Sequence, residues 1–202
     1  MSLQMIIIAI TIEQSSCPLP TSTMPSRSRV SACWLLPMSA AAVIAPAQAT
    51  TYLTLEQAQA ALLPGQALTA VPTHLSPAQV QAIQAASKER VRDPEVRVWR
   101  AANGHWFYLD RVLGKHEMIT YAVALDASGA VTGMEVLDYR ETYGDAVRNP
   151  KWRAQFNGKR HGAALKLNAD IVNLSGATLS CLHLADGIRR ILATHALAVA
   201  PR

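Results

Sequence analysis

Cysteine is nearly absent from this chain: there are three among 202 residues, Cys17, Cys33 and Cys181. The first two fall in a leader, so the remainder of the chain has a single thiol and no internal disulfide, and its core must hold without covalent staples. Aromatic residues make up 5% of the chain and charged residues 16%, while half the residues are apolar. That composition is globular rather than disordered. Lys and Arg are scattered, with no basic run interleaved with aromatics, so the net charge of +5 reads as solvated surface and nucleic acid is not an expected partner. The six histidines offer no pair at ligand spacing within one helix, and Cys181 and His183 are too close to ligate from one helical face. With no C-x-x-C-H string either, neither metal nor haem is expected. Ser180 lies outside any G-x-S-x-G, which leaves a hydrolase triad unsupported. No internal repeat of solenoid length is present.

What the chain does have begins with an address label. Arg27 and Arg29 precede the apolar run "ACWLLPMSAAAVIAPAQA", which ends at Ala47-Gln48-Ala49. A positive region, a short apolar region and an A-x-A site are the parts of a secretory signal peptide, so export to the periplasm is expected. Pro37 and Pro46 interrupt the run, which is short for a bilayer span; an uncut membrane anchor is the alternative. Residues 1–49 are therefore read as leader, with Met24 the more natural start.

Residues 50–92 read as an N-terminal helical segment. "TLEQAQAALLPG" opens on Thr54 and stops at Pro64-Gly65. "LSPAQVQAIQAASKERV" has Ser76 as N-cap and Pro77 in the first turn, with Val80, Ile83 and Ala86 or Val91 as its buried face. From residue 93 to 202 the period changes. "EVRVWRA" alternates, Asn103-Gly104 turns, and "HWFYLDRVLG" returns; "MITYAVALD", the turn "ASG" and "AVTGMEVLDYRE" make a second hairpin. A short helix at "NPKWRAQF", a strand around Ala169 to Val172 and a long helix from about Thr178 to Leu197 complete the chain. The expectation is an α+β fold: a mostly antiparallel sheet of four or five strands, N-terminal helices and a long C-terminal helix.

The last helix carries an apolar stripe at Cys181, Leu184, Ile188, Ile191, Leu192, His195 and Val199. Gly187 lies mid-helix, where glycine costs about 1 kcal/mol against alanine, and so marks a close approach by another backbone or a ligand. "LSGATLSC", Leu174 to Cys181, opens this helix. Ser175, Gly176 and Ala177 have little bulk, so the first-turn amides lie open, and a helix N-terminus with free N–H groups suits phosphate. Thr178 adds a hydroxyl at the same point. Against this stands an ordinary reading in which Ser175 is only a helix cap.

The string "SGAT" followed by "LS" at the start of a terminal helix resembles the attachment motif of the FMN-binding domain family. That domain is found in the C subunit of the sodium-translocating NADH:quinone reductase and the G subunit of the Rnf complex. "RETYGDAV" resembles the family's Glu-Thr-x-Gly loop, and "PKWRAQFNGK" its Trp-x-x-x-Phe-x-Gly-Lys helix and turn. The resemblance implies FMN as cofactor, with a flavin transferase esterifying its phosphate to Thr178. It places Ser175, Gly176, Ala177, Leu179 and Ser180 around the phosphate, and Glu141, Thr142, Tyr143 and Gly144 near the ribityl chain and ring. Lys159, with Trp152 and Phe156, would brace that loop or bind the cofactor; core packing at i and i+4 is the preferred reading of Trp152 and Phe156. The chain departs from the family at Tyr143, where many members have proline, and at Val172, where they have aspartate; Asp170 and Asn173 stand nearby. The implied function is an exported electron-transfer flavoprotein serving a membrane or periplasmic redox partner. The competing reading is a periplasmic binding or inhibitor module without redox chemistry.

Overall fold

A computed structural model describes residues 50–200. The expected signal peptide and the expected start at Met24 lie outside the described residues. The first two helices form where the sequence supplies their ends. In α1 (Leu55–Leu62) and α2 (Pro77–Ser87), Thr54 with Gln57 and Ser76 with Gln79 make complete capping boxes. Each box satisfies two of the amides that a helix start leaves unpaired. Ile83 is buried as expected and Val91 rather than Ala86 packs half-buried beside it; Ala86 is exposed, and Ser87 turns inward and donates its hydroxyl to the Ile83 carbonyl at 2.7 Å.

Before α1 and between it and α2 lie short strands that sequence reading missed: β1 (Thr50–Thr51), then β2 (Leu68–Ala70) and β3 (Thr73–His74). The long strands follow the alternating runs: β4 (Glu95–Ala101), β5 (Trp106–Leu113), β6 (Met118–Leu125) and β7 (Val131–Tyr139). The sheet order is β1-β7-β6-β5-β4-β2, with β3 also on β4, and the pairings are antiparallel. Strands of two or three residues are too short to display alternation, so only the four long ones were legible. The β4–β5 turn is a three-residue loop. Gly104 sits at φ +84°, its N–H bonded to the Ala101 carbonyl at 3.0 Å, while Ala101 N–H reaches His105 O at 2.8 Å.

Both faces of the sheet are covered. From Tyr121 to Leu125 every residue of β6 is fully buried. Tyr121, Val123 and Leu125 face α4 (Thr178–Thr194), while Ala122 and Ala124 share with Phe107 and Leu137 the cluster under Ala58 of α1. The stripe of α4 is buried as its spacing predicts, and α2 packs on the far end of α4 through Ile83 and Ala193. What comes close at Gly187 is side chain rather than backbone. A Cβ there would overlap the Tyr121 hydroxyl and lie 2.7 Å from Val112. That hydroxyl donates to Asp110 at 2.8 Å, and Arg190 Nη2 reaches the same carboxylate at 2.6 Å, tying α4 to β5 and β6.

Two expectations are corrected. Residues 169–172 form no strand: Leu167 and Ile171 make one isolated bridge, and Asp170 closes a tight turn by accepting the amides of Leu165 (3.1 Å) and Lys166 (2.5 Å). The last helix leaves α geometry at Thr194 and ends in a π-helical turn over His195–Val199. Among the described residues no helix is long and apolar enough to cross a membrane.

Candidate functional site

The site is assembled where β7 hands over to its following loop. Tyr139, the last residue of β7, is buried; its hydroxyl donates to the Tyr143 carbonyl at 2.6 Å and shares a hydrogen bond of 2.9 Å with Ser180 Oγ. Burial pushes the Tyr139 phenol above its ordinary pKa, so the hydroxyl keeps its proton. Gly144 takes φ +99°, and a Cβ there would overlap the Tyr139 hydroxyl and stand 3.2 Å from Ser180 Oγ. Glycine is therefore required, and the loop is pinned against the start of α4. Sequence reading missed Tyr139; its only signal was an inward place in the alternation of β7.

Glu141 was expected beside the cofactor. It lines the cleft, and its carboxylate accepts the backbone N–H of His116 at 2.5 Å and of Glu117 at 3.0 Å. Partial burial works against its charged form, but the amides of Glu117, His116 and Lys115 outweigh that, and its pKa lies below the usual carboxylate range. Glu141 thus latches the β5–β6 turn to the loop after β7. In doing so it brings in Lys115 and His116, two residues no sequence motif pointed to.

The third wall is the start of α4. Where α1 and α2 have capping boxes, α4 has no side-chain cap, and Ala177 occupies the N-cap position with φ −125° and ψ 18°. Ser175 does not act as the cap. Helix geometry leaves the amides of Thr178, Leu179 and Ser180 without intrahelical partners, since Cys181 N–H makes the first such bond, to Ala177 O at 2.9 Å. Gly176 has φ +79° with open space where a Cβ would stand. Thr178 is exposed, and its Oγ1 lies 3.1 Å from Asn173 Nδ2. Asn173 Oδ1 is buried with no hydrogen-bond partner among the described residues. Ser180 turns its hydroxyl inward to Tyr139, whereas Leu179 and Tyr143 are 42% and 82% exposed and offer apolar surface to a ligand. Cys181 is buried, and burial raises its thiol pKa, as packing rather than reactivity requires.

The remaining expected residues lie behind this surface. Trp152 and Phe156 are buried in edge-to-face contact, with centroids 5.2 Å apart, and Trp152 Nε1 donates to Val172 O at 2.7 Å. They brace the segment that leads to Ser175. Lys159 is outside the site and pairs with Asp170 at 3.3 Å. Asp170 is thereby occupied with its own turn, and of the two stand-ins only Asn173 reaches Thr178.

Together Lys115–His116, Glu141–Ala146 and Ser175–Ser180 line one cleft of about 720 Å³. That volume is within the range of small-molecule sites. One end offers free amides and the positive end of a helix, which suit a phosphate. The rest offers an exposed tyrosine ring, a leucine and a lysine, which suit a flat, partly polar ring system. The sequence model of the FMN-binding domain family matches residues 114–193, a span that contains all three lining segments. No curated protein matches the chain.

Proposed function

We infer from the match of residues 114–193 to the FMN-binding domain that the protein is a flavoprotein with FMN as its cofactor, and on that premise that it is an exported electron carrier whose FMN is esterified through its phosphate to Thr178. A flavin transferase loads it, and its redox partners are a membrane system on one side and another carrier on the other. The observation that carries this reading is the uncapped start of α4, with the Thr178 hydroxyl exposed on the wall of the cleft.

The residues present fit the group. FMN supplies one- or two-electron chemistry when bound. The amides of Thr178 to Ser180 and the helix dipole stabilise the negative charge that a phosphodiester keeps. Gly176 leaves space for its oxygens, and Asn173 holds the Thr178 side chain in one orientation. The Tyr139–Ser180 hydrogen bond fixes the backbone of Tyr143 and Gly144, so the ring meets a preorganised surface rather than a loose loop.

A binding module without redox chemistry would need "SGAT" to be a mere cap, and the absence of any side-chain cap on α4 weighs against it. The deciding experiment is in-gel fluorescence of the denatured protein, expressed with and without a flavin transferase, beside Thr178→Val. The expected result is an emitting band that requires both the transferase and Thr178. A dark band in the unaltered protein, where another transferase substrate glows, would overturn covalent attachment. A protein that is also colourless before denaturation would favour the binding module.

A further inference from the structure

We propose that Lys115 sets the reduction potential of the bound flavin, its ammonium facing the ring at the end of the cleft away from Thr178. The inference rests on FMN occupying this cleft but not on the covalent bond to Thr178.

Five ionisable side chains line the cleft: Lys115, His116, Glu141, Tyr143 and Asp145. Glu141 is spent on the amides of the β5–β6 turn. Lys115 takes part in no ion pair among the described residues. It is therefore the one lysine or arginine that the cleft presents to a ligand.

Its place relative to Thr178 is set by the contacts of a single loop. At the Glu141 end, the carboxylate lies 2.6 Å from where a Cβ on Gly114 would stand, so this end is pressed onto the β5–β6 turn. At the Gly144 end, the loop is pressed onto Ser180 and Ala177 at the start of α4. The three steps from Glu141 to Gly144 span at most about 10 Å, and this loop meets the turn at one end and the helix start at the other. The phosphate belongs to the helix wall, where the free amides are. The ribityl chain then carries the ring along the loop past Tyr143 toward Lys115. The latch fixes the backbone that bears Lys115, so the cation is held near the ring before any electron arrives.

The physics is a difference between two charge states. When dithionite supplies two electrons and the solvent one proton, the reduced ring keeps one negative charge, spread over its N1 and C2-carbonyl edge, whereas the oxidised ring is neutral. A cation at that edge favours the reduced form and raises the potential.

The test is a spectroscopic redox titration of the full chain loaded with FMN, comparing the unaltered protein with Lys115→Gln, Lys115→Arg and His116→Gln. The expected result for Lys115→Gln is at least a tenfold loss of reduced over oxidised flavin at fixed applied potential. That corresponds to a midpoint about 30 mV more negative for a two-electron couple. Lys115→Arg should restore the value. A shift below about threefold in Lys115→Gln, or a shift carried by His116→Gln instead, would overturn the proposal. An unshifted potential with weakened FMN retention would assign Lys115 to the phosphate and overturn it equally. If the unaltered chain took up no flavin, the FMN reading itself would fail and this inference with it, an outcome distinct from loaded protein with an unmoved potential.

Discussion

Gly144 shows how much of the site depends on one missing methyl group. At φ +99°, with the Tyr139 hydroxyl and Ser180 Oγ against it, alanine would be strained and would collide with the two groups that pin the loop. Gly144→Ala should cost about 1–3 kcal/mol in chemical denaturation and weaken FMN retention along with it. His195 is a second single-residue control, far from the cleft. Its Nδ1 lies 2.8 Å from the Tyr108 hydroxyl, its ring packs edge-on against Trp106 and Tyr108, and burial lowers its pKa despite an opposing pull from Asp126. The unfolded chain takes up the proton at about pH 6.5, before the folded one does, so folding disfavours protonation. Stability should be full above that pH and fall as the pH drops through it toward the lower folded pKa. Thermal melts between pH 8 and 5 check this, and His195→Gln should flatten that part of the profile. Glu141, Asp126 and Asp170, whose pKa values are lowered, contribute their losses only in more acid solution.

Among the elements, the contrast between capped and uncapped helices separates stability from function. Ser76 caps α2 through a complete box, remote from the cleft. Ser76→Ala should lower stability by about 1 kcal/mol and leave FMN binding unchanged, measured as urea midpoint and flavin absorbance. In α4, whose first turn faces the cleft, that stabilisation is forgone. The sequence announces α1 and α2 through their capping boxes, and β4 to β7 through alternation and turns. It misplaced a strand at residues 169–172 because Ile171 and Val172 are strand-like, whereas the amides of Ala169, Asp170 and Ile171 turn back onto the Lys166 carbonyl and that of Val172 goes to Gln155 Oε1. It also missed β1, β2 and β3, which exist only because β7 and β4 offer edges to pair with.

For the molecule as a whole, the span matched by the family is not the span that folds. Residues 114–193 omit β4, all of β5, and the α1 that covers the second face of the sheet. They omit α2 and the Tyr108–His195 contact as well. Without them Phe107 is gone, and Ala122, Ala124 and Leu137 lie bare. A fragment of residues 114–193 should show no cooperative thermal unfolding by circular dichroism, whereas residues 50–200 should melt in one transition. The segment of residues 50–92 is thus part of the sheet and core and does not stand apart from them.

Local patterns along the chain were enough to set the α+β class, the four long strands, both capped helices, the buried stripe of α4 and the unusual string at Thr178. Each of these is a period, a cap, a turn pair or a motif, legible within a short window of residues. It took the folded chain to make Glu141 a latch, to give Lys159 to Asp170, to have Tyr139 hold the loop and to bring Lys115 into the cleft. The physical reason is that these roles depend on which side chains meet across distant segments. A carboxylate goes to the nearest unpaired amides, and which amides those are is fixed by the pairing of β6 with β5 and β7 rather than by neighbours along the chain.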